Sequence, residues 1–294
     1  MPETTPHQPI ADLLARAKAD NRQTLSFEFF PFRDSEAAIT LWRTFDLALD
    51  AGAEFVSLTY GAGGSSQERS FEVLERMAPQ ISTIGHLTAV GATRSGTEAT
   101  IRRFEGLGVA SVLALRGDSP KGDPDALARG EISTALELLE LVANCSSLET
   151  GVAAFPEKHP ESPSLEHDAE VLKLKQAAGA KFAITQLFFT VDAYLDLLAA
   201  NRAAGVEIDV IPGVMPISNT KQVLRMAEMS GAKVPDRLVQ ALDGLDDAAA
   251  RKVGMDFSVQ LAGELLRVGA PGVHLFTLNR HEGALQIARE IGLA

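Results

Sequence analysis

Short apolar runs alternate with longer segments of helical spacing, and this alternation constrains the fold of the chain more than any other feature. Eight runs are typical of buried strands: 25–30, 55–60, 81–88, 110–115, 150–155, 183–189, 208–211 and 272–278. Helical segments separate them, and the longest interval, 219–268, has room for two or three helices. Strict alternation of strand and helix requires a parallel sheet with right-handed crossovers. Eight such units predict an α/β fold of the (β/α)8 type, a closed TIM barrel rather than an open doubly wound sheet.

Glycines mark the ends of several predicted helices, where a chain often adopts a left-handed conformation. They are Gly52, Gly108, Gly179 and Gly205. No linker rich in Pro, Gly or Ser divides the chain, and its 294 residues are close to the roughly 250 of one such barrel. We therefore predict a single domain over residues 1–294, in which residues 1–23 form an N-terminal extension or a helix.

Composition excludes several classes of partner. The chain has 27 Lys and Arg against 39 Asp and Glu, and a net charge of −12 disfavours nucleic acid and anionic membrane surfaces. No segment approaches the ~18 apolar residues of a membrane span, and residues 1–23 lack the apolar core of a signal peptide. The lone Cys145 cannot form an internal disulfide. These features predict a cytoplasmic protein, and they leave a homo-oligomer open.

Polar residues stand at or just past the ends of the predicted strands, where barrels of this class carry their active sites. They are Glu28, Thr59, His86, Thr88, Arg116, Asp118, Glu157, His159, Gln186, Asn279 and Arg280. Strand alternation aims Phe27 and Phe29 at the helices and Glu28 into the barrel. Desolvation there raises the pKa of a carboxyl group and makes it a general acid near neutral pH. An ion pair between Glu28 and an arginine is the structural alternative.

The remaining candidates are less specific. His86 lies on an apolar strand, where a histidine is commonly a packed core residue, and His159 follows Glu157 closely. H-x-H, H-E-x-x-H and Cys-rich spacings are absent, so the sequence predicts no metal site. A G-x-S-x-G elbow is absent too, which argues against a serine hydrolase. Asp118 follows Gly117, a residue that lets the backbone approach a ligand closely, although a plain turn aspartate is equally compatible.

Nine short blocks stand in order along the chain. They are SFEFFP from Ser26, TYGA from Thr59, HLT from His86, LRGD from Leu115, AFPE from Ala154, HPE from His159, ITQLFF from Ile184, IPGVMP from Ile211 and TLNR from Thr277. Together they resemble the methylenetetrahydrofolate reductase family in its short bacterial form. The resemblance implies an eight-stranded barrel that holds FAD, which NAD(P)H reduces. The flavin then passes a hydride to 5,10-methylenetetrahydrofolate in a ping-pong reaction that yields 5-methyltetrahydrofolate.

The resemblance also implies roles for individual residues. Glu28 matches the family's general acid, and Asp118 matches a carboxylate near the flavin and the pterin. The matching substrate-binding positions are Gln186, Met226 and Arg280. The matching flavin-binding positions are Thr59, His86, Arg116, Gly117, Asp118, Phe155, His159, Asp168 and Lys175. No metal ligand is implied.

Some positions depart from the family's pattern, chiefly on the flavin side. With the usual family residue in parentheses, they are Leu127 (Tyr), Phe155 (Tyr), Val171 (Asn), Leu174 (Arg) and Met226 (Phe). Because four of them remove polar groups from the flavin side, we expect weak FAD binding. They also keep a second hypothesis open, a folate-binding barrel without tightly bound flavin that acts as a carrier or methyl-transfer partner. A third hypothesis is an unrelated barrel lyase that uses Glu28 and Asp118 as an acid/base pair.

Overall fold

Parallel strands form one continuous sheet in the computed structural model, which describes residues 8–60, 64–117 and 125–294 and, within these, all side chains except those of 64–66. The strands are β1 (Thr24–Phe29), β2 (Phe55–Leu58), β3 (Ser82–Thr88), β4 (Ser111–Leu115), β5 (Glu149–Ala154), β6 (Ala180–Thr185), β7 (Asp209–Ile211), β8 (Gly213–Val214) and β9 (Gly272–Phe276). Their order in the sheet is β7-β6-β5-β4-β3-β2-β1-β9-β8.

Pro212 divides the strand that closes the barrel into β7 and β8. β7 pairs with β6, whereas β8 pairs with β9. A proline has no N–H to give to a ladder, but its carbonyl accepts a hydrogen bond from the His274 N–H at 2.9 Å. The Gly213 N–H donates to Thr185 Oγ1 at 2.9 Å on the other side. The two pieces act as one barrel strand, so the predicted eight-stranded barrel is confirmed.

Helices surround the sheet and cover one end of the barrel. They are α1 (Ile10–Ala19), α2 (Ser35–Asp50), α3 (Gly64–Met77), α4 (Arg94–Gly106), α5 (Ala126–Arg129), α6 (Ala135–Cys145), α7 (Leu165–Ala177), α8 (Val191–Ala204), α9 (Thr220–Ser230), α10 (Asp236–Leu242), α11 (Asp247–Arg267) and α12 (His281–Glu290). None of them, within the described part of the chain, has the length and apolar character that a bilayer crossing requires.

Local sequence signals account for most helix boundaries. Side chains cap the N-termini of α2, α4, α6, α7, α8, α9 and α11, and each accepts the N–H three residues further on. Such a cap satisfies a backbone donor that has no partner within the helix. The four glycines predicted to end helices all adopt positive φ, between 76° and 112°. Three helices fill the interval for which two or three were predicted.

The sixth strand differs from its prediction. It begins at Ala180 and ends at Thr185, whereas the apolar run predicted a strand over 183–189. Leu187 and Phe189 are buried beside α9, and Phe188 stacks on Tyr194 with ring centroids 6.1 Å apart. The run of apolar residues continues past Thr185 because the loop after β6 is also buried. An apolar run therefore indicates burial but does not distinguish a loop from a strand.

Alternating side chains divide the core into an outer and an inner layer. Phe27 and Phe29 belong to the outer layer with the surrounding helices, as predicted, and Phe55 and Ile84 belong to the inner layer. Ile10, Leu13 and Leu14 of α1 pack on this inner layer. α1 therefore covers one end of the barrel.

Glu149 fixes α1 in this position. Its carboxylate accepts hydrogen bonds from the N–H groups of Ile10 at 2.8 Å and Ala11 at 3.1 Å, at the N-terminus of the helix. The Ser111 hydroxyl donates to the same carboxylate at 2.5 Å. Because Glu149 and Ser111 open β5 and β4, the covered end is the N-terminal end of the strands, and the opposite end carries the loops that are relevant to function.

Candidate active site

Glu28 lies inside the barrel near the C-terminal end of β1. Its Oε2 atom is 3.6 Å from Nε2 of His86 on β3 and 3.9 Å from Nε2 of His274 on β9. The side chain keeps 23 % of its surface exposed, yet burial raises the pKa of the carboxyl group to about 8. No arginine of the described ranges forms an ion pair with it. Glu28 therefore carries a proton at neutral pH and can give it to a ligand.

The two histidines beside Glu28 are neutral. Burial lowers the pKa of His86 to about 4, and it lowers the pKa of His274 to about 3 with a further contribution from His86. Neither imidazole can serve as a counter-charge for an ionised Glu28 near neutral pH. A neutral acid between neutral rings is consistent with the high pKa of Glu28.

Two serine hydroxyls hold His274 in one orientation. Ser26 Oγ lies 2.8 Å from Nδ1 and Ser57 Oγ lies 3.0 Å from Nε2. Because the Ser26 hydroxyl donates to the Val273 carbonyl at 3.1 Å, we assign it as the acceptor of the Nδ1 proton, which leaves Nε2 to accept from Ser57. The ring also stacks on Phe55, with centroids 6.0 Å apart. The group nearest to Glu28 on this side is thus fixed by strand neighbours.

The loop after β9 forms hydrogen bonds with the backbone at the end of β1, at Glu28 and at Phe30. The Thr277 hydroxyl donates to the Glu28 carbonyl at 2.7 Å. The Asn279 side chain accepts from the Phe30 N–H at 3.1 Å and donates to the Phe30 carbonyl at 2.7 Å. Leu278 and Asn279 have φ of 50° and 55°, a region that costs energy for residues other than glycine. These contacts keep the loop in that conformation and connect β1 to β9.

A cleft of about 240 Å³ lies beside the barrel mouth, between the end of β5 and the helices α7 and α8. Five residues predicted to bind the flavin line it together: Arg116, Phe155, His159, Asp168 and Lys175. A second cleft of about 340 Å³ shares four of these residues and adds Gly117 and Gln186. The two clefts therefore join the α7 side of the molecule to the ends of β4 and β6.

Hydrogen bonds fix the loop that forms one wall of the smaller cleft. Asp168 accepts the His159 N–H at 2.6 Å, and His159 Nδ1 accepts the Glu161 N–H at 3.2 Å. The ring of His159 also packs edge-on against Phe155, with centroids 4.8 Å apart. The wall is therefore ordered by contacts of the protein itself.

Charge is uneven along this cleft. The Arg116 guanidinium forms a bidentate ion pair with the exposed Glu161. Burial lowers the pKa of His159 and also that of Lys175, which Asp168 partly opposes. A guanidinium and an ammonium group that line one cleft are groups that bind phosphate or diphosphate.

Gly117 and Gln186 flank the larger cleft. Gly117 has φ of 78°, and a Cβ atom there would come within 2.9 Å of Val90, so only glycine fits this close approach. The Gln186 N–H donates to the Ala154 carbonyl at 2.8 Å, and its side-chain Oε1 accepts the Leu187 N–H at 2.7 Å. The amide of Gln186 is thereby oriented at the end of β6.

The other predicted site residues are more scattered. Thr59 is half-buried just after β2, and its N–H donates to the Phe29 carbonyl at 2.9 Å. Arg280 is exposed at the start of α12, and Met226 packs on α9 against a cluster separate from the barrel interior. The predicted catalytic Asp118 lies outside the described residues.

The predicted departures differ in position. Val171 and Phe155 line the smaller cleft, so at these two positions the wall itself is apolar. Leu174 is 57 % exposed on α7 and is not part of the lining. Leu127 is half-buried in the short helix α5. Of the two predicted departures on α7, only Val171 lies in the wall of the cleft.

Sequence reasoning missed His274 and its serine partners. His274 lies in the middle of β9, and the search for polar residues at strand ends passes over that position. His274 lies on the inner face of the barrel, because it shares a face of β9 with Gly272 and Phe276. It also pairs with the inward-facing Ser26 in the sheet. A polar residue at an inward position of a buried strand was therefore the available signal. Within the described ranges no cluster of three or more His, Cys, Asp or Glu side chains forms a metal site.

Known proteins resemble this chain over nearly its whole length. A family model described as methylenetetrahydrofolate reductase matches residues 13–292. The 5,10-methylenetetrahydrofolate reductase of Escherichia coli is 35 % identical over 283 residues, covering 94 % of this chain and 93 % of that one. The enzyme of the same name from Salmonella typhimurium is 36 % identical over 281 residues. Methylenetetrahydrofolate reductase (NADH) 1 of Zea mays is 31 % identical and covers 97 % of this chain and 51 % of its own.

A solved structure has the same fold. It is a protein from Clostridium thermocellum, described as binding two copies of 5-methyl-5,6,7,8-tetrahydrofolic acid. Its TM-score is 0.65 over 95 % of this chain and 98 % of its own length, with 16 % sequence identity. At that identity the likeness concerns the fold alone.

Proposed function

The chain belongs to the methylenetetrahydrofolate reductase family, and we propose that it reduces 5,10-methylenetetrahydrofolate to 5-methyltetrahydrofolate with NAD(P)H and a bound FAD in a ping-pong reaction. The observation that supports this assignment best is Glu28, an acid inside the barrel mouth whose pKa is raised to about 8. Reduction of this substrate requires a proton as well as a hydride, and Glu28 has one to give at neutral pH. We further propose that residues 1–294 act as one catalytic domain.

Glu28 acts on the folate. As the five-membered ring opens to an iminium ion, the carboxylic acid protonates the nitrogen that leaves, and it becomes a carboxylate. FAD, if held by the residues of the smaller cleft, would supply the hydride that completes the methyl group. His86 and His274 stay neutral, so neither imidazole stabilises the carboxylate by charge. Because part of the Glu28 side chain is exposed, Glu28 regains its proton from water. General acid catalysis of this kind contributes about 10²–10⁴-fold to a rate.

The residues of the smaller cleft fit the polar half of FAD. Arg116 and Lys175 both line this cleft, and a guanidinium and an ammonium group are the side-chain groups that bind a diphosphate. Asp168 is held by the His159 N–H, and its second oxygen can accept from a hydroxyl of the flavin chain. Gly117 lets the backbone of the β4 loop approach the ring system. Gln186 offers its amide to the folate, and Arg280 offers a guanidinium to the carboxylates of the folate tail.

A second candidate function follows from Val171. An apolar wall there weakens the case for tight flavin binding and favours a folate-binding barrel that acts as a carrier or methyl-transfer partner. The Clostridium thermocellum protein, described as binding a methylated folate, supports folate binding by a barrel of this fold. The lyase hypothesis has no support of this kind, since the relatives of the chain are reductases.

Purified protein distinguishes the two candidates. A flavoprotein reductase is yellow, or becomes active when FAD is added, and it oxidises NADH or NADPH in the presence of methylenetetrahydrofolate. Anaerobic stopped-flow measurements separate reduction of the flavin by NAD(P)H from its reoxidation by the folate. A colourless protein that binds methyltetrahydrofolate and stays inactive with excess FAD contradicts the reductase assignment and supports the carrier.

A further inference from the structure

Asn201 is a buried amide without a hydrogen-bond partner among the residues that the structure describes. Its side chain is 3 % exposed, and neither Oδ1 nor Nδ2 is bonded. Buried side-chain amides nearly always have partners. The amide of Asn201 on α8 therefore offers an unused donor and an unused acceptor side by side to any group that enters the cleft.

The amide belongs to the wall of the smaller cleft. Asn201 and Leu197 reach it from successive turns of α8, and Leu172 reaches it from α7. All three side chains are buried, whereas Arg116 and Lys175 of the same cleft are only half-buried. The less buried part of the cleft thus carries charged groups of both signs, its most buried part is largely apolar, and Asn201 is a polar group of that buried part.

We propose that Asn201 binds the hydrogen-bonding edge of an adenine-type base, while Arg116 and Lys175 hold the phosphates attached to it. This inference rests on the proposed function, since FAD carries such an adenosine diphosphate half. A carboxamide matches adenine because Oδ1 accepts from the amino group and Nδ2 donates to a ring nitrogen in one bidentate contact. The aliphatic side chains of Leu172 and Leu197 suit the faces of a flat ring.

The position of Asn201 predicts a preference of the site for one flavin over another. Val171 offers no hydrogen bond from α7, so the base receives its polar contact from α8 instead. Asn201 then determines the preference of the site for FAD over FMN, because FMN lacks the base. A residue with a general packing role would affect both flavins alike.

Two substitutions test the proposal. Asn201→Leu removes both hydrogen-bonding groups and keeps the number and branching of the side-chain heavy atoms, and Asn201→Asp keeps the shape but removes the donor and adds a negative charge. Asn144→Leu, at an exposed asparagine on α6, is the matched control. Affinities for FAD and FMN come from flavin fluorescence titration, affinity for ADP comes from calorimetry, and thermal melting verifies that each variant folds.

We expect both Asn201 variants to bind FAD and ADP about tenfold or more weakly and to bind FMN as the wild type does, with no change for the control. Unchanged FAD affinity, or an equal loss for FAD and FMN, overturns the proposal. A wild type that binds ADP but no flavin refutes the proposed function separately, and the proposal on Asn201 then stands or falls with the loss of ADP binding in the variants.

Discussion

The barrel interior around Glu28 and the cleft beside α7 are built in different ways. In the interior, buried His274 has a partner for each ring nitrogen, and the histidines beside Glu28 are neutral. In the cleft, charged side chains line the wall together with the apolar Val171, and Asn201 has no partner among the described residues. Around His274 the chain supplies the hydrogen-bond partners itself, although His86 Nε2 beside Glu28 has none among the described residues, whereas in the cleft Asn201 leaves both a donor and an acceptor unused.

This contrast follows from the elements that carry each region. Ser26, Glu28, Ser57 and His274 are on adjacent strands whose register the backbone ladder fixes, so their mutual positions are rigid. The cleft is lined by helix faces and by a loop between β5 and α7, which a ladder does not restrain. The rigid barrel interior is suited to setting the pKa of a catalytic group closely. The less restrained cleft is suited to accommodating one cofactor or another.

The largest effect is expected from Glu28→Gln. The amide keeps the shape but holds no acidic proton, so reoxidation of the flavin by methylenetetrahydrofolate should slow by about 10²–10⁴-fold. Reduction of the flavin by NAD(P)H should change much less, because it does not use this proton. Stopped-flow measurement of each half-reaction tests both statements, with the exposed Glu140→Gln on α6 as control. Equal losses in the two half-reactions would mean that Glu28 has a structural role.

The pH dependence of the folate half-reaction tests the protonation state. Since the pKa of Glu28 is raised to about 8, the acid is protonated below that pH and its rate contribution should fall about tenfold per pH unit above it. The flavin half-reaction should not follow this limb. A folate half-reaction that already declines from pH 5 upwards would contradict a raised pKa.

The histidines predict an effect on stability at acid pH. His274 has a pKa of about 3 when folded and 6.5 ordinarily, so only the unfolded chain takes up the proton between these values. Folding stability is therefore lost as pH falls through that window, by about 1.4 kcal/mol per pH unit. Urea unfolding of His274→Gln should lack this component, and the difference from the wild type should shrink with decreasing pH. A difference that is constant with pH would show that folding does not lower the pKa of His274.

The smallest effects concern the two departures on α7. Val171→Asn should tighten FAD binding by about tenfold, the value of one hydrogen bond to a charged or strongly polar group. Leu174→Arg should help less, because this residue is exposed and its charge is screened by salt. Retention of FAD through dialysis and fluorescence titration measure both. A wild type that keeps stoichiometric FAD through extensive dialysis would mean that other contacts, Asn201 among them, compensate for Val171.

The sequence predicted the barrel well because alternation of strands and helices is a local signal repeated eight times. It also predicted the inward direction of Glu28, since the flanking Phe27 and Phe29 leave only one face for it. It failed at the end of β6, where buried loop residues continue the apolar run. It failed for His274 because the serines that bind this residue are remote in sequence. It failed for Asn201 because the lack of a hydrogen-bond partner can be recognised only in the structure. The predicted role of Asp118 stays a prediction, since that residue lies outside the described part of the chain.

One measurement tests the central claim most directly: titration of the Glu28 carboxyl group itself. Protein labelled with ¹³C at the glutamate carboxyl carbons is followed by NMR from acid to alkaline pH, and Glu28→Gln identifies the resonance that disappears. A neutral acid in the barrel interior predicts that this resonance titrates with a pKa of about 8. A resonance that titrates near the ordinary value of 4.5 would contradict it, because Glu28 would then be ionised at neutral pH and could not be the proton donor.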